Sequence, residues 1–146
     1  MAAFYTTVEE QSIAAQIADL LNASNKLRMK HSESSIMGSY ADYFIELEGD
    51  RVVGCVAIQQ INDYYSLLKH SSVAKSHRRR GIGKKLLIAA IQNCETPYVY
   101  ARIREDNIAS LKMSFSVGLK VIGKTRFHNY NLITVGKAVE QKEWRS

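Results

Sequence analysis

The stretch Val73–Leu87 reads V-A-K-S-H-R-R-R-G-I-G-K-K-L-L. It passes from the end of a strand-like segment through a basic loop with two glycines into an amphipathic helix. Seven of the 20 basic residues, and no acidic residue, lie between Lys69 and Lys85, which leaves 13 basic against 14 acidic residues elsewhere. The net charge of +6 is therefore concentrated near one helix start. A helix start favours binding of a compact polyanion, because it offers unpaired N–H groups and the positive end of the helix dipole. The two glycines allow the backbone to approach such a ligand closely.

The length of 146 residues and an apolar content of 46% predict one domain, residues 1–146, that can bury a full core. Cys55 and Cys94 have no metal-ligand spacing and are predicted to be buried thiols, so we expect no metal site. The chain shows no apolar run of membrane-span length and no signal-peptide pattern. We therefore expect a cytoplasmic protein without a membrane partner.

Hydrophobic periodicity predicts a series of strands and helices. The predicted strands are Ala3–Thr7, Tyr43–Glu48, Arg51–Ile61, Tyr64–Val73, Pro97–Arg104, Lys120–Arg126 and Tyr130–Lys137. The predicted helices are Val8–Ala23, capped by Thr7 with Glu9 and Glu10 in its first turn, Ile82–Asn93, Ile108–Val117, and a short helix within 25–39. This order predicts an α/β fold, a mixed sheet with helices on its faces.

The basic loop lacks the marks of two common phosphate sites. No glycine stands five residues before Gly83, as a Walker loop requires, and Leu86 occupies the place of the third glycine in a dinucleotide fingerprint. What remains is Arg78-x-x-Gly81-x-Gly83 between a strand and a helix. This pattern resembles the Q/R-x-x-G-x-G/A acyl-coenzyme A loop of the GNAT superfamily of N-acetyltransferases.

A second segment supports the resemblance. Members of the family often carry an asparagine, a helix, and then Gly-Phe; here Asn107 and Gly118 match, and Leu119 stands where phenylalanine is common. The resemblance covers roughly Arg51 to Lys137. It implies the GNAT fold, with a central, mixed, mostly antiparallel sheet of six to seven strands flanked by about four helices.

The resemblance also implies that acetyl-CoA, or coenzyme A, binds at this loop. The amides of Arg79–Lys84 would hold the pyrophosphate, while basic side chains of the loop would face the ribose phosphate. The backbone of Ser71–Val73 would pair with the pantetheine arm in a gap before Val99–Arg104, and an N–H near Val73 would polarise the thioester carbonyl. Asn107 would contact the cofactor or cap the next helix. The implied cofactor-binding residues are Ser71, Ser72, Val73, Arg78, Arg79, Arg80, Gly81, Ile82, Gly83, Lys84, Lys85 and Asn107.

The catalytic residues are harder to assign. Many family members carry a tyrosine seven residues after the asparagine, where it protonates the departing thiolate, and here that position is Ser114. Serine is a poor acid, although it can hydrogen-bond a sulfur, and a thiol with a pKa of ~8.5 leaves readily as thiolate. His70 is the nearest candidate for a base, with an ordinary strand histidine as the alternative. His77 is expected to be exposed.

The leading interpretation is direct transfer of an acetyl group from acetyl-CoA to a primary amine in a ternary complex. The acceptor is an amine on a small molecule, a protein or an aminoacyl-tRNA, and the basic character of 25–39 and of the hairpin near His128 disfavours polyamines. One alternative is a non-catalytic or weakly active coenzyme A-binding module, which Ser114 favours. Another is a basic protein that binds RNA or DNA, which the concentration of charge in one loop disfavours. A homodimer stays open.

Overall fold

The computed structural model describes residues 2–5, 11–24 and 30–140, and these form seven strands and four α-helices. The strands are β1 (Ala2–Tyr5), β2 (Asp42–Glu48), β3 (Arg51–Gln60), β4 (Tyr65–Val73), β5 (Tyr98–Arg104), β6 (Lys120–Arg126) and β7 (Asn131–Ala138). The helices are α1 (Gln11–Ser24), α2 (Glu33–Met37), α3 (Ile82–Gln92) and α4 (Ile108–Ser116), and a 3-10 turn spans Lys75–His77.

The strands form one sheet in the order β1-β2-β3-β4-β5-β7-β6. Neighbouring strands are antiparallel everywhere except between β4 and β5, which run parallel. The predicted α/β class and the mixed, mostly antiparallel sheet are confirmed. The predicted cap at Thr7 and the acidic pair Glu9 and Glu10 lie outside the described residues.

Helices pack on both faces of the sheet. On one face, α1 places Ile17 and Leu21 in an apolar cluster with Ile45 of β2. On the opposite face, α3 places Leu86 in a second cluster with Val99 of β5 and residues of α4. Complete burial of a side chain such as Leu21 or Leu86 contributes about 1.5–3 kcal/mol. The two clusters fix the sheet between the helix layers and hold α3 and α4 beside the centre of the sheet.

A glycine sets the distance between the start of α3 and the sheet. A Cβ atom added to Gly54 of β3 would lie 2.8 Å from Cγ2 of Ile82 and 3.2 Å from Cδ1 of Leu86. Only a residue without a side chain allows this close approach. The approach fixes where the loop before α3 lies.

The parallel pair β4 and β5 parts halfway along its length. The strands pair from Tyr65–Tyr98 to Leu68–Ala101, but β4 continues to Val73 and β5 to Arg104 without pairing to each other. The pairing of β4 with β3 shifts in register just beyond the last pair between β4 and β5. At this place His70 adopts a φ of 51°. This left-handed conformation is uncommon for a residue other than glycine and is typical of a β-bulge. The result is a gap in the sheet between the carboxyl ends of two strands.

Candidate active site

The loop between β4 and α3 presents its main-chain amides without partners. Among the described residues, the N–H groups of Arg78–Lys84 donate no hydrogen bond, and the Lys85 amide is the first to do so, to the Gly81 carbonyl oxygen at 3.0 Å. Arg79 (φ 65°) and Gly81 (φ 76°) have left-handed backbones, which are components of concave N–H nests that bind anions. The loop is therefore open and suited to a diphosphate.

The loop is fixed to the end of β4 by one of its own cations. Nε of Arg78 donates a hydrogen bond to the Val73 carbonyl oxygen at 3.2 Å. Ten of the twelve predicted cofactor residues line a pocket of about 540 Å³ at this place: Ser71, Ser72, Val73, Arg78, Arg79, Gly81, Ile82, Gly83, Lys84 and Asn107. The structure therefore brings most of the predicted set together around one cavity.

Arg80 and Lys85 lie outside that pocket. The Arg80 guanidinium contacts the Ser76 carbonyl oxygen at 3.4 Å. Nζ of Lys85 lies 2.9 Å from Oε1 of Glu46 on β2, so its charge is compensated within the protein. The helix turns Lys85 away from the loop pocket, whereas its neighbour Lys84 lines it.

The prediction that His77 is exposed is wrong. The imidazole is buried, with Nε2 at 2.7 Å from Oε2 of Glu48 and Nδ1 at 2.7 Å from the Ser76 hydroxyl oxygen. The imidazole beside Glu48 also lowers the pKa of that carboxylate. His77 thus connects the basic loop to the end of β2.

The gap between β4 and β5 forms a cleft of about 600 Å³. One part of its wall belongs to the apolar core beside α3 and α4 and includes Leu87, Ala101 and Met113. Another part is polar and includes Lys69 and Arg102. The loop pocket and the cleft share wall residues, namely Ser71, Asn107, Ser110 and Met113. A long, flexible ligand can therefore extend from the loop into the gap.

Serine and asparagine side chains of α4 line the cleft. Oδ1 of Asn107 accepts a hydrogen bond from the Ser110 amide at 3.2 Å, so Asn107 caps α4 and also borders both cavities. Ser114 lies in the wall with only 3% of its surface exposed, and its hydroxyl makes no hydrogen bond to the described residues. No tyrosine lines the cleft among the described residues, so none takes the place of the tyrosine that Ser114 replaces.

His70 lines the cleft from the bulge in β4. Its Nδ1 is 2.6 Å from the Tyr43 hydroxyl oxygen, and the His31 ring lies edge-on at 4.5 Å between ring centres. Burial, helped by the charge of Lys69 and by His31, lowers the pKa of His70 to about 4. Burial also raises the pKa of Tyr43 to about 12. At neutral pH, His70 is an uncharged imidazole and Tyr43 an intact phenol.

Sequence reasoning did not assign three cations in the wall of the cleft to the site, namely Lys69, Arg102 and Arg104. Arg104 forms two hydrogen bonds with Asp106, each 3.1 Å long. The alternation of β5 could have indicated Arg102 and Arg104, since Tyr98, Tyr100, Arg102 and Arg104 share one face while the residues between them are buried.

The described residues contain no cluster of three potential metal ligands, and both cysteines are free thiols. No described helix has the length and apolarity needed to cross a membrane.

An open amide loop lies beside a gap between two parallel strands, an arrangement suited to an extended, phosphate-bearing ligand. The model of the acetyltransferase (GNAT) family matches residues 13–114, and the chain belongs to this family. This confirms the predicted family and enzyme class, an acyltransferase.

Solved structures support the same fold. An aminoglycoside 6'-N-acetyltransferase from Enterococcus faecium is 15% identical with a TM-score of 0.81, and covers 98% of this chain and 99% of its own. The protein yncA from Salmonella typhimurium, solved with its cofactor acetyl-CoA, is 17% identical with a TM-score of 0.77. It covers 97% of this chain and 95% of its own. The ribosomal-protein-S18-alanine N-acetyltransferase from Escherichia coli is 16% identical with a TM-score of 0.77. It covers 98% of this chain and 97% of its own. No curated protein sequence matches the chain.

Proposed function

We propose that this protein transfers the acetyl group of acetyl-CoA directly to a primary amine while both are bound. The observation that carries the proposal is the row of unpartnered amides from Arg78 to Lys84, which opens onto the gap between β4 and β5. Acetyl-CoA, when bound, supplies an acetyl group activated as a thioester. Every other part of the reaction falls to the groups of the chain itself.

The loop and the strand edge would bind and orient the cofactor. The amides of Arg79–Lys84 would hold its diphosphate, and the charges of Arg78 and Lys84 would compensate its phosphates. The unpaired edge of β4 at Ser71–Val73 offers main-chain groups to an extended chain, much as a sheet edge accepts an added strand. An N–H group on this edge would also stabilise negative charge on a carbonyl oxygen in the cleft.

Ser114 would assist the leaving sulfur. Its hydroxyl is unpartnered among the described residues and lies in the cleft wall, so it is available to donate a hydrogen bond there. Serine keeps its proton at neutral pH, so the group would support a departing thiolate without a full proton transfer. Because a thiol pKa of ~8.5 makes thiolate a stable species near neutral pH, a hydrogen bond is sufficient help.

His70 would receive the proton of the acceptor amine. The imidazole is neutral above pH 4, so one ring nitrogen carries a lone pair at the pH of the cell. Its low pKa makes it a weak base, so it would pass the proton onward rather than store it. The hydroxyl of Tyr43, 2.6 Å away, and that of Ser39, 3.3 Å beyond, provide a route away from the cleft. The cations around the cleft would help by lowering the pKa of a bound ammonium group.

We place this activity in the cytoplasm and in one domain, residues 1–146. Two free thiols, Cys55 and Cys94, support a reducing compartment. A single sheet that includes β1 and β7 supports the one-domain organisation.

The test combines calorimetry and mass spectrometry. Titration of the protein with acetyl-CoA should release or absorb heat with a 1:1 stoichiometry. Incubation with acetyl-CoA and a panel of primary amines should then yield an acceptor heavier by the mass of one acetyl group. Tight binding without turnover of any amine would favour a coenzyme A-binding module instead. Absence of binding would overturn the proposal.

A further inference from the structure

We infer that Lys69 and Arg102 form a subsite for an anionic group, a carboxylate or a phosphate, which the acceptor carries beside its amine. The inference rests on the proposed function, because it assigns the acceptor class for the same cleft. It starts from the positions of the two cations in the sheet.

Lys69 and Arg102 stand on either side of the gap at its narrow end. Leu68 and Ala101 form the last pair between β4 and β5, and both are buried in the core beside α3. The next residue on each strand, Lys69 or Arg102, therefore points to the opposite face of the sheet. Both line the cleft on that face, away from the basic loop. An acceptor that approaches the gap from there meets these two cations first.

Neither cation is neutralised by an acidic side chain among the described residues. Nζ of Lys69 has a neutral partner, Oε1 of Gln59, at 2.5 Å. The guanidinium of Arg102 forms no ion pair with any described residue and lies 5.8 Å from the centre of the Tyr100 ring. Arg104, two residues further along β5, differs because Asp106 compensates its charge. The surplus of positive charge is thus local to Lys69 and Arg102.

The surroundings make a second bound cation unfavourable. Lys69 is half-buried, and burial lowers its pKa. Its charge also lowers the pKa values of His31 and His70, so both rings resist protonation. Asp106, the one acidic residue that the described part of the chain contributes to the cleft wall, already binds Arg104. A polyamine would add charge of the same sign, whereas a carboxylate or phosphate would offset the cost of keeping Lys69 charged.

The first experiment compares four small amines as acceptors with acetyl-CoA in excess. O-phosphoethanolamine carries a phosphate, β-alanine a carboxylate, propylamine no second charge, and 1,4-diaminobutane a second cation. We expect kcat/KM for at least one anionic amine to exceed that for propylamine by tenfold or more, with 1,4-diaminobutane the poorest. The two anionic amines distinguish a phosphate from a carboxylate source. Equal or better use of propylamine or 1,4-diaminobutane would overturn the subsite and leave acetyl transfer intact.

The second experiment tests the residues. The double variant Lys69→Gln/Arg102→Gln should reduce the preference for anionic amines by tenfold or more, while acetyl-CoA affinity changes less than threefold. Lys120→Gln removes an exposed cation on β6, outside the cleft, and should leave the preference unchanged. An undiminished preference in the double variant would overturn the inference.

A binding measurement separates this inference from the proposed function. The protein, wild type or double variant, is first saturated with coenzyme A so that the loop is occupied. It is then titrated with inorganic phosphate and with acetate while the backbone amide resonances of β4 and β5 are followed by NMR. Anion binding that the double variant loses, without turnover of any amine, would keep the subsite and overturn acetyl transfer. Turnover of an amine without anion binding and without a preference for anionic amines would overturn the subsite and keep acetyl transfer.

Discussion

The Tyr43 hydroxyl oxygen lies 2.6 Å from Nδ1 of His70, in the middle of a sheet whose own irregularity turns that histidine toward the cleft. The contact joins β2 to β4 across β3, and it holds an imidazole whose pKa is lowered to about 4. An enzyme that relies on this ring should therefore show no loss of activity between pH 7 and pH 5 from the histidine itself. The loss expected there comes from protonation of the acceptor amine.

His70 should make the fold sensitive to acid. Its pKa is about 4 in the folded chain and about 6.5 when unfolded, so between these values the unfolded state binds more protons. The free energy of unfolding therefore falls as the pH falls from about 6.5 to 4. The variant His70→Asn should show a smaller decrease in Tm over this window, because asparagine does not titrate and tolerates a left-handed backbone.

The decrease should persist in part in His70→Asn, because the pKa of His31 is lowered as well. Thermal unfolding from pH 7 to pH 4, followed by circular dichroism, gives the Tm of His70→Asn and of the wild type under the same conditions. The assignment is contradicted when His70→Asn and the wild type lose Tm in parallel.

A negative charge at Gly81 should block the cofactor loop. Gly81 has a φ of 76° and nothing within 4 Å of an added Cβ, so a side chain there would project into open space beside the loop amides. Gly81→Asp should weaken acetyl-CoA binding by tenfold or more, because its carboxylate repels phosphate. Gly81→Asn is the matched control, since it has nearly the same shape and backbone preference without the charge. Calorimetry should show the asparagine variant within about threefold of the wild type; equal weakening in both would attribute the effect to backbone strain.

The two adjacent lysines at the start of α3 should differ in their effect on binding. Lys84 lines the loop pocket, whereas Lys85 pairs with Glu46 at 2.9 Å. Lys84→Gln should reduce acetyl-CoA affinity about 3- to 10-fold at low salt, an effect typical of one exposed phosphate contact. Lys85→Gln should reduce it less than twofold. A reversed order would show that the side chains exchange roles when the cofactor binds.

Ser114→Ala should slow turnover without loss of the cofactor. A lost general acid typically costs about 10²- to 10⁴-fold. Because serine in the proposed role would supply only a hydrogen bond, we expect a decrease in kcat of tenfold or less. Acetyl-CoA affinity should stay within twofold, and the unfolding midpoint should change little. An unchanged kcat would remove Ser114 from the mechanism.

A glycine in β7 should be required for packing. A Cβ on Gly136 would lie 3.0 Å from the Val99 carbonyl oxygen and 2.9 Å from Cδ1 of Ile122, whereas one on Gly123 would meet nothing closer than 3.8 Å. Gly136→Ala should therefore destabilise the protein by about 1–3 kcal/mol, as overpacking does. Gly123→Ala is the control and should change the free energy of unfolding by less than about 0.5 kcal/mol. Urea denaturation of the two variants makes the comparison.

Local patterns predicted most of the fold and the form of the basic loop. The glycines of Arg78-x-x-Gly81-x-Gly83, the cap at Asn107 and the alternation of β5 each depend on neighbours within a few residues, so the chain alone reveals them. The predicted bounds of the described strands and helices accordingly lie close to the observed ones.

Contacts between distant residues were not predictable in this way. His77 is buried because Glu48, 29 residues earlier, folds next to it. Lys69 belongs to the same basic run as the loop residues, but β4 carries it to the opposite end of the cleft. The family resemblance implied a gap between β4 and β5, but the point at which they part, after Leu68 and Ala101, depends on the register of a parallel pair, which no local signal encodes.

Because β4 and β5 share only four paired positions, against seven between β5 and β7, the sheet consists of two leaves joined by a short seam. A ligand bound between the unpaired parts of β4 and β5 would connect the two leaves non-covalently. Thermal shift and amide hydrogen exchange would then register coenzyme A as a component of the architecture, with the greatest protection gained at the far halves of both strands.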